Sequence, residues 1–243
     1  PAMSARPTRW IATAVVAAVV WFATGALEWP ARLWCAMLLV LLPALAIVQA
    51  ALIEGQEHEI PRSAAYLSSA AAIWALAGIS VIVALASGFS TSTLGLRGDI
   101  AAVVTWSAAA LAAGLAILAA GRALGVRESV MLRRILPRSA REKWAFAALS
   151  ISAGIGEELA FRGFLVPALE LATGSTVLAL VLSSGAFGML HGYQAAAGIA
   201  RAALLGLVLA LSFVLSGSLL PAIIAHALLD IIAGIWAASW LLR

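Results

Sequence analysis

Long apolar segments, each about the length that crosses a bilayer, follow one another along almost the whole chain. A transmembrane helix needs about 20 consecutive apolar residues. Of the 243 residues, 64% are hydrophobic and 11% are charged, whereas soluble domains carry about 25% charged residues. This composition excludes a water-soluble globule and a disordered chain. We therefore predict an all-α fold, a polytopic bundle of membrane helices.

Charged residues and clusters of Gly, Ser and Pro divide the apolar sequence into about eight predicted transmembrane helices. The first is longer than the apolar core of a signal peptide, so we expect it to be retained. The chain is predicted to be one membrane domain with two parts, residues 1–143 with four helices and a basic loop, and residues 144–243 with four more helices. The predicted helices cover residues 10–27, 33–53, 64–86, 100–120, 144–168, 175–191, 202–215 and 219–240.

The distribution of Lys and Arg predicts the orientation of these helices. If the N-terminus is inside, twelve of the 15 cations fall on the inner side and two on the outer side. Seven cations lie in residues 122–143, a loop that we expect to contact anionic lipid, and not nucleic acid. An acidic patch at Glu54, Glu57, His58 and Glu59 also falls inside. We predict that both termini are cytoplasmic.

Six ionisable side chains remain inside the predicted membrane helices. A charge at the centre of such a helix costs about 2.5–3.5 kcal/mol on insertion scales, and such residues usually face the bundle interior or a cavity. We therefore interpret them as candidates for a functional site. They are Glu157, Glu158, Arg162, His191, His226 and Asp230.

Helical spacing gives the two adjacent glutamates different predicted roles. Glu158 and Arg162 are four residues apart, a spacing that suits an ion pair, whereas Glu157 points about 100° away around the helix. Glu157 is then free to act as a general base. His226 and Asp230 are also four apart and share a face. Three helices are thus predicted to bring polar groups to one chamber.

Three short motifs contain these residues, in a fixed order on successive predicted helices. In this order they resemble the motifs of the CAAX protease and bacteriocin-processing (CPBP, or Abi) family of glutamic intramembrane endopeptidases. The resemblance covers roughly residues 144–240 and implies an integral protein of a bacterial inner, or plasma, membrane. The motifs are EExxxR at 157–162, FxxxH at 187–191 and HxxxD at 226–230.

The resemblance implies peptide hydrolysis without a metal or another cofactor, on a membrane-associated peptide or protein in contact with membrane lipid. It implies that Glu157 and His191 activate a water molecule and that His226 with Asp230 stabilises the oxyanion. Phe187 supports the second motif. Position 230 is Asp here, whereas the CAAX-processing branch has Asn. Because an ionised Asp cannot donate a hydrogen bond, Asp230 is either protonated or orients His226 as an imidazolium donor, and we favour the second role.

Other chemistries remain open at the level of sequence. A metal-dependent protease could use the same carboxylates and imidazoles, although the zinc motif HExxH is absent. An aspartyl protease needs two membrane aspartates, and the predicted helices contain only Asp230. A serine protease could pair Ser184 with His191. A transporter or an inactive scaffold is the alternative outside enzymes, and the absence of internal repeats disfavours transport. The single cysteine, Cys35, excludes an intrachain disulfide.

Overall fold

The computed structural model describes residues 5–53 and 61–241, and all regular structure in them is helical. The predicted all-α membrane bundle is confirmed, while the acidic patch at 54–59 lies outside the described residues. A 3₁₀ turn, Gly192–Gln194, joins α7 to α8. The helices are α1 (Ala5–Ala23), α2 (Trp29–Ala36, a π-helical segment Met37–Leu41, and Leu42–Ile53), α3 (Arg62–Ala86), α4 (Ile100–Ala123), α5 (Val130–Ile135), α6 (Ala140–Glu158, a π-helical segment Leu159–Leu165, and Val166–Thr173), α7 (Thr176–Leu190), α8 (Ala195–Ser216), α9 (Leu220–Ile231 and a π-helical segment Ile232–Trp236) and α10 (Ala238–Leu241).

The length and apolar character of these helices fit a bilayer. Within the described residues, four segments are long and apolar enough to cross a membrane, and three shorter apolar helices accompany them. Large apolar side chains such as Phe22 and Leu67 point outward, 77% and 74% exposed, as expected of side chains that face lipid. The four long segments are Trp29–Leu52, Arg62–Ala86, Ile100–Ala123 and Gly192–Ser216, and the three shorter ones are Trp10–Ala23, Thr176–Leu190 and Leu220–Trp236.

Polar caps and glycines define where the helices begin and end. The Asp99 carboxylate caps α4. Ser139 and Glu142 form a reciprocal capping box at the start of α6, which satisfies backbone N–H groups that have no partner within the helix. Left-handed glycines, Gly174 with φ 67° and Gly217 with φ 64°, end α6 and α8, because glycine adopts positive φ without steric cost. The Glu142 carboxylate accepts backbone hydrogen bonds from Arg138 and Ser139, which lower its pKa.

One cluster of buried hydrophobic side chains contains residues from both parts of the sequence. Phe161 and Phe164 on α6 are fully buried, and Leu38 on α2 belongs to the same cluster. Close helix crossings depend on glycine. A Cβ atom at Gly154 would lie 2.9 Å from the carbonyl oxygen of Ile223, so glycine lets α6 and α9 approach each other.

The helix predicted at 202–215 is longer than expected, which corrects the sequence interpretation of one cation. The predicted bounds place Arg201 just before this helix, but α8 begins at Ala195 and includes it. The Arg201 side chain is 12% exposed and pairs with Glu128, which is 4% exposed. Since each charge neutralises the other, the arginine does not have to leave the bundle.

Candidate active site

The first motif lies where α6 changes to its π-helical segment, and it contains a fully buried ion pair. Arg162 Nη1 donates to Glu158 Oε1 over 2.7 Å, and both side chains are 0% exposed. Arg162 Nη2 also donates to the carbonyl oxygen of Gly206 on α8, 2.8 Å away. The guanidinium carbon lies 4.5 Å from the centre of the Phe187 ring. Arg162 therefore connects three helices.

Glu158 also binds the third motif, a contact that the helical spacing did not predict. His226 Nδ1–H on α9 donates to the same Glu158 Oε1 over 2.7 Å. Glu158 thus accepts two charge-assisted hydrogen bonds, one from each side. The signal for this contact in the sequence is indirect. Gly154, one turn before Glu158, packs against Ala227, the neighbour of His226.

The other nitrogen of His226 faces the two remaining carboxylates. Nε2 lies 3.9 Å from Glu157 Oε2 and 3.7 Å from Asp230 Oδ2, both beyond hydrogen-bond distance. The hydrogen bond that orients the ring is therefore the one to Glu158, whereas we expected Asp230 to orient it. Asp230 is 44% exposed and Glu157 18% exposed. Both acids are open to a ligand in a way that Glu158 is not.

His191 ends α7 in a defined tautomer. With the proton on Nδ1, the ring donates to the carbonyl oxygen of Phe187, 3.0 Å away, which leaves Nε2 as a free acceptor. The Phe187 ring separates the two histidines, with centroid distances of 4.9 Å to His191 and 5.8 Å to His226. The second motif therefore spaces and supports both imidazoles by aromatic packing.

A cavity of about 820 Å³ joins these groups. Glu157, His191 and Asp230 line one part of it, together with Tyr193. Its remaining walls are mainly small and apolar side chains from α2, α3, α5 and α6. An apolar cavity with a few convergent polar groups is the usual form of a binding or active site. His226 is 6% exposed, and its Nε2 faces Glu157 and Asp230, which line the cavity.

The geometry gives little support to a metal-dependent protease or a serine protease. Within residues 5–53 and 61–241, no group of three or more His, Cys, Asp or Glu residues has an arrangement that could hold a metal ion. The Ser184 hydroxyl is buried and makes no hydrogen bond to any described residue. It therefore makes none to His191, as a serine nucleophile would.

Fold and site together define an integral membrane protein whose acid and base groups converge on one cavity. Residues 139–232 match the family model described as type II CAAX prenyl endopeptidase Rce1-like. All three motifs lie within the match, so the resemblance drawn from them is confirmed. This match supports a CAAX-type intramembrane endopeptidase, a peptide hydrolase, at the level of the family. No curated protein and no solved structure matches the chain.

Proposed function

We propose that the chain hydrolyses a peptide bond of a membrane-associated protein or peptide, with water as the nucleophile and Glu157 as the general base. The observation that carries this proposal is the contrast between two adjacent acids. Glu158 is 0% exposed and bound by both Arg162 and His226. Glu157 makes no hydrogen bond at all among the described residues and lines the cavity with His191.

The proposed reaction gives each of these groups a defined role. Glu157 takes a proton from water while the His191 Nε2 lone pair accepts the second O–H of that water. The water oxygen attacks the peptide carbonyl carbon, and negative charge develops on the carbonyl oxygen. His226, held by Glu158 through Nδ1, presents Nε2–H as an imidazolium donor to this oxyanion, and Asp230 stabilises the imidazolium. The C–N bond then breaks as Glu157 returns its proton to the amine, which yields a carboxylic acid and an amine.

The substrate is proposed to reach the cavity from the cytoplasmic face of the membrane. The lining comes from the helix ends that the positive-inside rule assigns to the cytoplasm. Its apolar walls suit a lipid-modified or otherwise membrane-bound chain. The matched family model is described as a CAAX prenyl endopeptidase, and we therefore propose prenylated CAAX proteins first, ahead of leader peptides and other membrane proteins.

The test is a terminus analysis with purified protein in phospholipid vesicles. Two peptide libraries are offered, one ending in a farnesylated Cys-aliphatic-aliphatic-X sequence and one without the lipid, and new termini are identified by mass spectrometry. We expect cleavage by the wild type and by Glu170→Gln, since Glu170 lies exposed on the same helix and outside the cavity. We expect none with Glu157→Gln. Cleavage by Glu157→Gln, or no cleavage of either library by the wild type, would contradict the proposal.

The same assay distinguishes the proposed metal-free mechanism from a metal-dependent one. Hydrolysis by Glu157 and His191 needs no metal, so EDTA should leave the rate unchanged. Inhibition by EDTA that added zinc reverses would instead favour a metal-dependent protease that uses the same residues.

A further inference from the structure

Four polar side chains outside the three motifs form a chain of hydrogen bonds along one wall of the cavity. Glu128 pairs with Arg201, whose Nη2 lies 2.8 Å from Glu128 Oε2. Arg201 Nη2 also donates to Gln194 Oε1 over 3.2 Å. Gln194 Nε2 donates to the Tyr193 hydroxyl oxygen over 3.1 Å. All four residues line the cavity.

The chemistry of these groups determines which group donates and which accepts each hydrogen bond in this network. Arginine can only donate, so the Gln194 amide must turn its oxygen toward Arg201 and its N–H toward Tyr193. The phenol oxygen then accepts a hydrogen bond, and none of the described residues accepts its own proton. A hydroxyl that accepts one hydrogen bond becomes a better donor of the next. Tyr193 is thus left as a donor with no partner.

This free donor lies beside the proposed catalytic groups. The Tyr193 and His191 rings have centroids 6.0 Å apart. Tyr193, Glu157 and Asp230 all line the same cavity. A peptide carbonyl bound between these groups would lie within reach of the phenol.

Two backbone features hold the hydrogen-bonded side chains in place. Ala195, which follows Gln194, has φ 61° and ψ 179° and is the one non-glycine among the described residues with positive φ. Such a conformation costs about 1–3 kcal/mol and is kept where the surroundings enforce it, often at functional sites. A Cβ atom at Gly198 would collide with the Gln194 side chain. Glycine there leaves room for Gln194 to lie over α8.

We propose that Tyr193 is a further catalytic residue, which donates a hydrogen bond from its hydroxyl to the carbonyl oxygen of the scissile peptide bond. Gln194, Arg201 and Glu128 are positioning residues that hold the phenol and direct its proton into the cavity. The proton stays on Tyr193 while negative charge develops on the carbonyl oxygen. This inference rests on the proposed function, because it assigns a second oxyanion donor to the same site.

The first experiment measures kcat and KM of Tyr193→Phe with the peptide that the wild type cleaves fastest in the vesicle assay. Loss of one oxyanion donor lowers kcat by about 100-fold to 1000-fold in known cases, and we expect a loss of this order with little change in KM. Wild-type kcat in Tyr193→Phe would overturn the inference. Glu157→Gln is measured beside it. If Glu157→Gln is active, the proposed function itself is contradicted. If Glu157→Gln is inactive and Tyr193→Phe is fully active, only the role of Tyr193 is contradicted.

A second pair of variants tests the positioning chain without touching the phenol. Gly198→Ala should displace Gln194 and lower kcat several-fold at unchanged KM, while circular dichroism and melting temperature show a folded protein. Gly185→Ala is the matched control, since a Cβ there has no atom within 4 Å, and it should keep wild-type kcat. Gln194→Leu should reproduce the Gly198→Ala effect. Wild-type kcat in Gln194→Leu would overturn the positioning role.

Discussion

Glu158 joins two of the three motifs through a single oxygen atom. Its Oε1 accepts from Arg162 and from His226, each over 2.7 Å, and the Glu158 and Arg162 side chains are both 0% exposed. A carboxylate committed in this way is a poor proton acceptor for water. The two adjacent glutamates therefore have different roles because Glu158 is already bound by hydrogen-bond donors, whereas Glu157 is not.

Removal of the Arg162 charge should destabilise the protein strongly. Arg162→Met leaves the Glu158 carboxylate buried with only His226 as a partner, and breaking a buried ion pair from one side costs about 3–5 kcal/mol. We expect a clear drop in melting temperature in detergent. Arg133→Met, at an exposed position, is the control and should change stability by less than about 0.5 kcal/mol. Adding Glu158→Gln to Arg162→Met should recover part of the loss, and no recovery would contradict a charge-pair explanation.

Glu158 and Asp230 should differ in their effect on catalysis. The His226 hydrogen bond goes to Glu158, while Asp230 lies 3.7 Å from the ring and is 44% exposed. We therefore expect Glu158→Gln to lower kcat more than Asp230→Asn does. Both variants are measured with the same cleaved peptide under saturation. A larger loss of kcat in Asp230→Asn than in Glu158→Gln would instead indicate that Asp230 orients His226.

At the scale of helices, the contact between α6 and α9 determines whether the first and third motifs meet. Gly154→Ala would put a Cβ atom 2.9 Å from both the Ile223 carbonyl oxygen and the Ala227 Cβ, so the two helices must separate. We expect a lower melting temperature and a lower kcat, because the bond from Glu158 to His226 lengthens. Gly185→Ala faces open space and should be neutral or slightly stabilising, since alanine exceeds glycine in helix propensity by about 1 kcal/mol. Equal melting temperatures for the two variants would contradict this.

Spacing within one helix is what the sequence reveals best. Glu158 and Arg162 share a face of α6, so their proximity could be predicted from four residues of separation. The bond from Glu158 to His226 joins residues 68 positions apart, and helical periodicity carries no information about such pairs. The predicted helix bounds 202–215 leave Arg201 outside the helix for a related reason. Hydropathy counts its charge but not Glu128, the partner that lets it lie inside α8.

At the scale of the whole molecule, the cavity lies at one end of the bundle. Its lining includes Ala50 near the end of α2, Ala65 near the start of α3 and Leu118 near the end of α4, and α5 contributes as well. Consecutive antiparallel helices bring these ends to the same side. That side carries the basic loop 122–143. The side from which substrate enters therefore depends on the membrane orientation, and the positive-inside rule predicts that this side is cytoplasmic.

This orientation can be measured because the chain has one cysteine, Cys35, which is buried. In a Cys35→Ala background, Ser92→Cys and Ala123→Cys each add one exposed thiol near opposite ends of α4. A membrane-impermeant maleimide should label position 92 in intact cells and position 123 only after the cells are lysed. Labelling is read as a mass shift on a gel. The opposite pattern would place the cavity on the outer face and exclude cytoplasmic substrates, whatever the chemistry of Glu157.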